Sequence, residues 1–495
     1  MEKYLYFDKG NIEEIVEWGQ AWKRKTKVYV ANSIYFFSHL LKFVKKTGAT
    51  ASVINHGSDI YKVQVGAWVF TSVDYIFRAP FITLCSELGL GEPSNEAVEK
   101  LVNIIEENAE GFSFKNGDFL TVGSLAWKLI NSFDDNETFD ITQDYPMNWE
   151  TWGWWKSHGI YKGGLCIVNE RYKGKNLNDL YKYDKNSFFG WVMKYGNMPR
   201  GRFCKNHGKP NKLKDKLIHA KISGKSKFEG IGAYEDKSLF LAQDIYIWGD
   251  ELEELFHWYD LDIEWIEYWE WALNIPDPHM GAFVDYFYDK KLHATGMQRR
   301  FAKLMLNNGY GKWGQNPVNQ HIRIKDGKES LGNTGVNYKS IRSLAVASKI
   351  TALARTELMR SIREATHGRP DLYYVYGDTD SMILTIPFDK VGDQLGEFKF
   401  EGYFNKGKVL GKKCYMLYDG KYECHAAGIP RYIMEGFFKD KNWDEAQEYF
   451  EYGVEWNCPC IVTIDGIKKL EHRWRQLSVG QINTFNSVYG FYEGE

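Results

Sequence analysis

The chain has 495 residues, of which 44% are hydrophobic and 16% aromatic, and this is enough for about two to four domains with cores of their own. The composition excludes a disordered protein, and the sequence has neither a signal peptide nor an apolar run of about eighteen residues, which predicts a protein without a membrane span. Seven cysteines, an odd number, predict no disulfide framework, so we expect an intracellular location.

The first part of the chain mixes helical and strand-like patterns. Helices are predicted over residues 11–23 and 95–109, and strands over residues 27–31 and 62–76. This combination predicts an N-terminal α/β unit. We expect the unit to end near residues 150–160, where a Trp-rich connector leads into the next part of the chain.

The net charge of −2 conceals a strong local bias of charge. Residues 200–227 contain ten Lys or Arg residues and one acid, Asp215, whereas residues 250–270 contain no Lys or Arg. The basic segment predicts a groove for a polyanion, with the acidic segment as a repelling wall elsewhere. The alternative is a solvated loop without a partner.

The remainder of the chain has the pattern of an α+β protein. Strands are predicted within residues 165–172 and 177–184, helices over 297–313, 339–365 and 443–452, and a strand hairpin over 373–386. Short strands and the last of these helices make up the C-terminal part. The hairpin carries the most conspicuous charges, so we expect it to be central.

Two carboxylates stand one residue apart in that hairpin, in the segment YGDTDSM that begins at Tyr376. Alternation along a strand places Asp378 and Asp380 on the same face, so the two charges should converge on one cation. The alternative is a tight hairpin in which the acids only cap the turn.

A further carboxylate, Asp184, ends an alternating strand and precedes a turn into a predicted helix. A carboxylate at this position is exposed at the end of a sheet, close to backbone amides that can receive phosphate oxygens. The alternative is an ordinary cap between a strand and a helix.

One helical stripe combines cations, an amide and an aromatic ring. Its members, at i, i+4, i+8 and i+11, are Arg299, Lys303, Asn307 and Tyr310. Leu304 and its neighbours should face a core. Cations in a row can hold a triphosphate, and a Tyr one turn beyond can pack on a sugar or base. The alternative is an exposed helix face with an incidental aromatic residue.

Together these parts suit phosphoryl transfer from a nucleotide. Two Mg²⁺ ions about 3.5–4 Å apart must be bridged by carboxylates, and Asp184 and Asp380 are the natural pair. One ion would lower the pKa of an attacking hydroxyl, and the other would neutralise pyrophosphate. Mn²⁺ can substitute for Mg²⁺ in our expectation.

The same segments, in this order, resemble the motifs of family B DNA polymerases: DKNSFFG at Asp184 resembles DxxSLYP, KLMLNNGYG at Lys303 resembles KxxxNSxYG, and YGDTDS at Tyr376 resembles YxDTDS. More specifically they resemble the protein-primed branch found in small podophages. YKGG at Tyr161 is similar to that branch's YxGG motif, and KCY at Lys413 is similar to its KxY motif. The resemblance extends over residues 161–430.

The resemblance implies roles for individual residues. It makes Asp184 and Asp380 metal ligands, with Asp378 supporting the second ion and the Lys185 carbonyl near a metal. The residues implied to bind the incoming nucleotide are Phe189, Lys291, Arg299, Lys303, Asn307 and Tyr310. The residues implied to contact primer or template are Tyr161, Gly163, Gly164, Thr379, Lys413 and Tyr415. Phe189 would lie under the deoxyribose and exclude a 2′-hydroxyl, although the branch usually has Tyr there.

The resemblance also implies a fold, a right-hand polymerase of the α+β class with palm, fingers and thumb. An N-terminal α/β exonuclease-like domain, of the ribonuclease H type, would precede it. The expected bounds are 1–160 for the N-terminal domain, 161–495 for the polymerase domain, 370–390 with Asp184 for the palm, about 290–365 for the fingers and about 415–495 for the thumb. Two insertions are expected, at about 215–285 to dock a terminal protein and at 316–337 as a hairpin that encircles template and aids strand displacement.

The N-terminal domain departs from the family's exonuclease motifs. Phe36 stands where the second motif has its Asp, and Asn103 stands about where the third motif has its Asp. No Asp-x-Glu of the first motif is recognisable, and Asp74 lies in a segment that resembles a non-catalytic part of the family. Because two metals need clustered carboxylates, we expect an α/β fold without 3′–5′ exonuclease activity.

The expected function is therefore that of a DNA-directed DNA polymerase in viral DNA replication, acting in the cytoplasm of a host bacterium. Its expected partners are dNTPs, a DNA primer-template and a terminal protein, without a membrane. A reverse transcriptase or RNA polymerase typically has two adjacent acids in its third motif, whereas Thr379 separates them here. The remaining alternative is an inactive single-stranded-DNA-binding relic, which should have lost its metal carboxylates.

Overall fold

The computed structural model describes residues 1–7, 25–56, 59–77, 80–87, 89–133, 141–233, 240–318, 320–332, 335–464 and 467–477. Its strands are β1 Glu2–Tyr6, β2 Thr26–Ala31, β3 Ala51–His56, β4 Asp59–Val65, β5 Trp68–Ser72, β6 Cys166–Val168, β7 Asn176–Lys185, β8 Met198–His207, β9 Leu217–Ser226, β10 Phe240–Trp248, β11 Tyr259–Ile275, β12 Gln320–Lys325, β13 Lys328–Gly332, β14 Tyr374–Asp378, β15 Ser381–Leu384, β16 Phe398–Gly411, β17 Cys414–Tyr418, β18 Tyr422–Ala426, β19 Glu455–Ile464 and β20 Ile467–Gln476.

Its helices are α1 Ser33–Thr47, α2 Asp74–Phe77, α3 Phe81–Glu87, α4 Asn95–Glu107, α5 Val122–Ser132, α6 Ile141–Asp144, α7 Trp149–Ser157, α8 Phe188–Tyr195, α9 Gly249–Trp258, α10 Pro278–His293, α11 Gly296–Gly309, α12 Leu344–Ala365, α13 Pro370–Tyr373, α14 Arg431–Phe438 and α15 Trp443–Tyr449. Two 3₁₀ turns cover Tyr310–Lys312 and Tyr338–Ser340. The helix predicted over residues 11–23 lies outside the described residues.

The chain forms two compact units, each assembled from separate stretches of sequence. The first contains residues 1–139, 285–342 and 460–471, and the second contains residues 140–284, 343–459 and 472–495. These units cut the chain differently from the expected domains. The first stretch of the first unit ends at residue 139, earlier than the expected bound of 160, and the segment expected to form the fingers is divided because α12 belongs to the second unit.

A seven-stranded sheet forms the centre of the first unit, in the order β1-β2-β5-β4-β3-β12-β13. The β1–β2 and β2–β5 pairs are parallel, and the others are antiparallel. Residues 62–76, predicted as one strand, instead contain a turn between β4 and β5 and then the start of α2. Gly66 makes this turn with a φ of 58°, a left-handed conformation that suits glycine.

The hairpin expected within residues 316–337 is present as β12 and β13, and it extends the sheet of the N-terminal part. Ile322 pairs with Val53 and Ile324 with Ala51 across β12 and β3. Ile324 is fully buried in the core that also contains the side chains of β2 and β5. Burial of one face of the hairpin therefore fixes it to the N-terminal sheet, a connection that local sequence did not predict.

The predicted cationic stripe lies on α11, in the first unit. Arg299, Lys303 and Asn307 are exposed on one side of the helix, as expected. The side that is buried consists of Phe301, Ala302, Met305, Leu306 and Gly309. Leu304, which was expected to face the core, is only half-buried. It therefore lies at the edge of the buried face of α11 and not at its centre.

The larger sheet of the second unit has the order β18-β17-β16-β7-β15-β14-β6, and all its neighbouring strands are antiparallel. Tyr183 and Met382 from this sheet share a core with Leu358, Met359 and Ile362 of α12. The sheet therefore has a buried face toward α12. β17 and β18, which lie in or next to the segment expected to form the thumb, are part of this sheet.

A second sheet in this unit, β10-β9-β11-β8, covers most of the expected insertion at residues 215–285 but begins earlier in the chain. It brings the basic and acidic segments side by side, because β9 and β11 are antiparallel neighbours. Cross-strand ion pairs join Lys216 to Glu270 at 2.7 Å and Lys221 to Glu264 at 3.3 Å. The prediction of an acidic wall elsewhere is therefore wrong.

Two further observations concern the whole chain. None of the seven cysteines forms a disulfide bond. Among the helices of the described residues, none has the length and apolar character that a bilayer crossing requires. The amphipathic helix predicted over residues 443–452 is present as α15 and ends at Tyr449.

Candidate active site

Neighbouring strands of the second unit bring the three predicted carboxylates together. Asp184 on β7 pairs with Ser381 on β15, and the N–H of Lys185 donates a hydrogen bond to the carbonyl oxygen of Asp380 at 2.8 Å. Asp378 is the last residue of β14. All three residues therefore meet at one end of the β14–β15 hairpin, beside the end of β7.

A turn, and not alternation along one strand, makes Asp378 and Asp380 converge. Thr379 between them has a φ of 60°, in the left-handed region that β-branched residues rarely adopt. The N–H of Asp380 donates to the carbonyl oxygen of Asp378 at 2.7 Å, which closes the turn tightly. The convergence that was expected is present, but its cause is this strained turn.

The three carboxylates perturb one another electrostatically. Burial, followed by repulsion from Asp184 and Asp378, raises the pKa of Asp380 to about 7. Lys413 relieves part of the charge, because its Nζ donates to Asp378 Oδ2 at 2.5 Å. Like charges held close together in this way indicate a site that gains stability from a further cation.

The donor set fits Mg²⁺. This ion usually binds through one or two carboxylates and completes its shell with water and substrate phosphates. Asp184 and Asp380 could supply the two carboxylates. No group of three or more His, Cys, Asp or Glu side chains within the described residues is arranged to hold a metal, so the ions would depend on substrate for their remaining ligands.

The predicted template segment lies directly against the carboxylate turn. The N–H of Thr379 donates to the carbonyl oxygen of Leu165 at 2.8 Å. A Cβ on Gly164 would lie 2.3 Å from the Thr379 Oγ1, so a larger residue would displace the turn. Gly163 is exposed and Tyr161 is half-buried in the same segment. The glycine at position 164 is thus required by the packing of the active-site turn.

Arg355 on α12 binds the backbone of this segment, and no sequence pattern predicted its role. Its Nη1 donates to the carbonyl oxygen of Gly163 at 2.8 Å. Its Nε and Nη2 donate to the two carboxylate oxygens of Glu251 at 2.6 and 2.8 Å. Both side chains are almost fully buried. The acidic segment at residues 250–270 could have indicated such a partner. It contains no Lys or Arg, so any of its carboxylates that is buried needs a cation from another part of the chain.

The predicted primer-binding pair lies beside Asp378. The N–H of Lys413 donates to the hydroxyl oxygen of Tyr376 at 3.1 Å, in addition to the contact of its ammonium with Asp378. The ring of Tyr415 lies 5.4 Å from that of Tyr376 and stacks on His425 at 5.8 Å. His425 therefore belongs to the same cluster of rings, although no sequence pattern predicted it.

Phe189, the predicted sugar gate, is the second residue of α8 and is half-buried. The helix starts immediately after Ser187, whose φ of 46° turns the chain sharply away from β7. This turn places Phe189 only five positions after Asp184 in the chain. Its role in excluding a 2′-hydroxyl stays a prediction.

The remaining residues predicted to bind nucleotide belong to the first unit. Lys291 is on α10, with its ammonium 5.3 Å from the centre of the Tyr288 ring. Tyr310 begins the 3₁₀ turn that follows α11 and is half-buried. The structure defines the exposed stripe of Arg299, Lys303 and Asn307 on the helix between them, and the part of all five residues in nucleotide binding stays a prediction.

The positions compared with exonuclease motifs carry no available carboxylate. Phe36 is fully buried, with ring contacts to Phe7 and Phe70. Asn103 accepts a hydrogen bond from Lys115 Nζ at 3.0 Å. Asp74 accepts from the N–H of Ser33 at 2.6 Å at the start of α1, and burial raises its pKa. Each of these side chains packs or forms a hydrogen bond with other residues of the first unit.

Comparison with known proteins gives consistent results. A model of the family described as DNA polymerase type B, organellar and viral, matches residues 97–357. The chain is 24% identical over 462 residues to the DNA-directed DNA polymerase of Enterobacteria phage PRD1, an alignment covering 84% of this chain and 77% of that protein. It is 28% identical over 363 residues to the DNA polymerase of Bacillus phage Nf, covering 66% of this chain and 60% of that protein.

Among solved structures, the chain is similar to Phi29 DNA polymerase complexed with primer-template DNA and incoming nucleotide substrates. The TM-score is 0.78 with 18% identity, and the alignment covers 95% of this chain and 93% of that one. This likeness shows the α+β polymerase fold with an N-terminal domain. Because the family model matches more than half of the residues, the chain belongs to the organellar and viral type B DNA polymerases.

Proposed function

We propose that the chain is a DNA-directed DNA polymerase that adds dNTPs to a DNA primer-template during viral DNA replication. The observation that carries this proposal is that Asp184, Asp378 and Asp380 lie at the same end of the β14–β15 hairpin, with the pKa of Asp380 raised to about 7 by burial and by the other two. Such crowding is costly unless cations are bound.

The residues of the site have distinct parts in the proposed reaction. Asp184 and Asp380 would hold two Mg²⁺ ions, which supply charge neutralisation at the triphosphate and a lowered pKa for the primer hydroxyl. Asp378 holds Lys413, and we assign this lysine to the primer strand. Gly163 and Gly164 leave an exposed path for the template beside Thr379.

The incoming nucleotide would be oriented by cations that bind its triphosphate and by an aromatic ring that packs on its base pair. Cations on α11, chiefly Arg299 and Lys303, would contact the triphosphate, and Lys291 would assist them. Tyr310 would pack on the nascent base pair, and Asn307 lies on the same exposed stripe. Their exposure supports this assignment, because a triphosphate needs accessible donors.

Protein priming and strand displacement are part of the proposal. The sheet β8–β11 would dock a terminal protein, whose hydroxyl would serve as the first primer. The hairpin β12–β13 would contact the template, and its exposed cations support this role: they are Arg323, Lys325 and Lys328. The enzyme would act in the cytoplasm of the host bacterium.

The proposed enzyme lacks 3′–5′ exonuclease activity. Hydrolysis by two metals requires clustered carboxylates. Phe36, Asn103 and Asp74 are engaged in packing or hydrogen bonds, which supports the loss of that activity.

The alternative function is that of an inactive single-stranded-DNA-binding relic, and primer extension separates the two. Purified protein should extend a primer with Mg²⁺ and not without it. Asp184→Asn and Asp380→Asn should each abolish incorporation while DNA binding persists. Asp179→Asn, which changes an exposed Asp on the same strand, is the matched control and should extend normally. Incorporation above a few per cent in either active-site variant would favour another assignment.

A further inference from the structure

The side chain of Lys185 lies on the buried side of β7, next to the metal-binding Asp184. Along this strand Tyr183 and Lys185 are buried, whereas Asp184 between them is partly exposed. Only 5% of Lys185 is exposed. A lysine is rarely buried to this degree unless its ammonium has a partner, so its surroundings need an explanation.

The ammonium of Lys185 is enclosed by five residues, which we call the Lys185 cage. Its members are Phe188, Trp191, Glu357, Ser361 and Phe398. Nζ donates to Glu357 Oε1 at 2.6 Å and to Ser361 Oγ at 3.3 Å. The three rings have their centres 4.9–5.2 Å from Nζ. Burial lowers the pKa of Lys185, and the ion pair with Glu357 opposes this effect.

The backbone of Lys185 is at the same time part of the carboxylate site. Its N–H donates to the carbonyl oxygen of Asp380 at 2.8 Å, and its own carbonyl follows Asp184 by one residue. The N–H of the next residue, Asn186, donates to the backbone carbonyl oxygen of Glu397 at 2.9 Å. Residue 185 therefore cannot shift without shifting Asp184 and the backbone of Asp380.

One wall of the cage is fixed by close backbone packing. A Cβ on Gly396 would lie 2.1 Å from Trp191 Cδ1, and this glycine has a φ of 81°. Glu357 belongs to α12, two residues beyond the Arg355 that holds Gly163. The cage is thus anchored by two elements that are themselves firmly packed.

We propose that Lys185 is a positioning residue for nucleotide transfer, whose caged ammonium fixes the separation of the Asp184 and Asp380 carboxylates. This inference rests on the proposed polymerase function and adds a residue to it. Misplacement of a reacting group by about 1 Å can lower a rate roughly 100-fold. Loss of the cage should accordingly lower kcat more than it changes KM for the dNTP, because the cationic stripe on α11 is a separate element.

The test compares Lys185→Met, which keeps the length of the side chain but removes its charge, with the double variant Lys185→Met/Glu357→Met. Replacing both members of a buried ion pair with apolar residues is often neutral for stability. Lys408→Met is the matched control, because Lys408 is 3% exposed and paired with Glu451 in the same sheet. Single-nucleotide incorporation gives kcat and KM, electron paramagnetic resonance gives Mn²⁺ affinity without DNA, and thermal melting gives stability.

We expect Lys185→Met to lower kcat by about 10- to 100-fold with KM within about threefold, and to weaken Mn²⁺ binding. The double variant should regain thermal stability but not kcat. The control should keep both kcat and Mn²⁺ affinity, whatever its melting temperature. If Lys185→Met does not fold, Glu357→Gln takes its place with the same expectations.

Three results would overturn the proposal: an unchanged kcat in Lys185→Met, unchanged Mn²⁺ binding, or recovery of kcat together with stability in the double variant. The last would show that the cage only fills space. Failure of the polymerase proposal looks different. In that case the unmodified protein extends no primer, while its Mn²⁺ affinity and that of the variants still decide the role of Lys185.

Discussion

If the proposed two-metal reaction is correct, lowering the pH below 7 should raise the Mg²⁺ concentration needed for nucleotide incorporation. Burial and then the charges of Asp184 and Asp378 raise the pKa of Asp380 from 3.8 to about 7. A proton and a metal ion compete for the same carboxylate. Because the pKa is raised, Asp380 without metal is mostly protonated below pH 7 and mostly ionised above it.

The size of the effect follows from the ionised fraction. With a pKa of about 7, roughly one tenth of Asp380 is ionised at pH 6 and roughly nine tenths at pH 8. The Mg²⁺ concentration for half-maximal incorporation should therefore be about tenfold higher at pH 6 than at pH 8. A carboxyl group with its ordinary pKa would produce almost no change over this range.

The assay is single-nucleotide incorporation with Mg²⁺ titrated at pH 6, 7 and 8, at constant ionic strength and with saturating dNTP and primer-template. Mn²⁺ binding to the protein without DNA provides an independent measurement. In Asp378→Asn one of the two repelling charges is absent, so the midpoint of the pH dependence of Mn²⁺ binding should move to lower pH. Asp179→Asn should leave it unchanged.

Equal Mg²⁺ requirements at pH 6 and pH 8 would refute this reasoning. The same pKa also predicts the stability of the metal-free protein. Since the folded pKa lies above the unfolded one, Asp380 contributes stability that is fully present below about pH 4 and is lost as the pH rises through about 7. Asp380→Asn should lack this loss, which thermal melting between pH 5 and pH 8 can measure.

Four further predictions concern other parts of the chain. Phe189→Val should admit ribonucleotides because it opens space for a 2′-hydroxyl, and an unchanged ratio of kcat/KM for rNTP over dNTP would place the gate elsewhere. Four exposed lysines of the basic segment are Lys209, Lys212, Lys214 and Lys225. Replacing all four with Gln should reduce the slope of log K for DNA binding against log salt concentration by somewhat under one unit per lost phosphate contact. The control replaces Lys216 and Lys221, which pair with carboxylates of β11, with Gln. An equal change of slope per lysine in the control would argue against a specific contact. Arg355→Met should lower the free energy of unfolding by about 3–5 kcal/mol, because Glu251 stays buried without its partner; Glu251→Leu in the same chain should restore most of it in denaturant titrations. A mismatched primer with Mg²⁺ and no dNTP should stay intact, and laddering that persists in Asp380→Asn would reveal a nuclease.

The chemistry of the site could be predicted from sequence because it is concentrated in short segments. Each carboxylate stands at a strand end with a turn signal beside it, as in Asp184 and in the segment from Asp378 to Asp380. Local patterns therefore identified the residues and their elements. They did not identify the turn at Thr379, because a left-handed conformation in a β-branched residue is favoured only by the contacts around it.

Charge in the sequence was a weaker guide, because a count of charges does not show their partners. The basic and acidic segments pair with each other across β9 and β11. Arg355 and Lys185 are buried cations held by Glu251 and Glu357, carboxylates about one hundred or more positions away along the chain. Only antiparallel pairing and helix packing bring such groups together.

The sequence by itself determined the family, the carboxylates and the strands that carry them. The tertiary structure alone decided how distant segments combine: β12 and β13 complete a sheet begun near the N-terminus, and α12 holds both Lys185 and Gly163. The physical reason is that hydrogen bonding between strand edges and burial of apolar faces are satisfied by whichever segments meet in space. A local pattern of residues shows that a strand needs a partner or that a face needs burial, but it does not show which distant segment provides them.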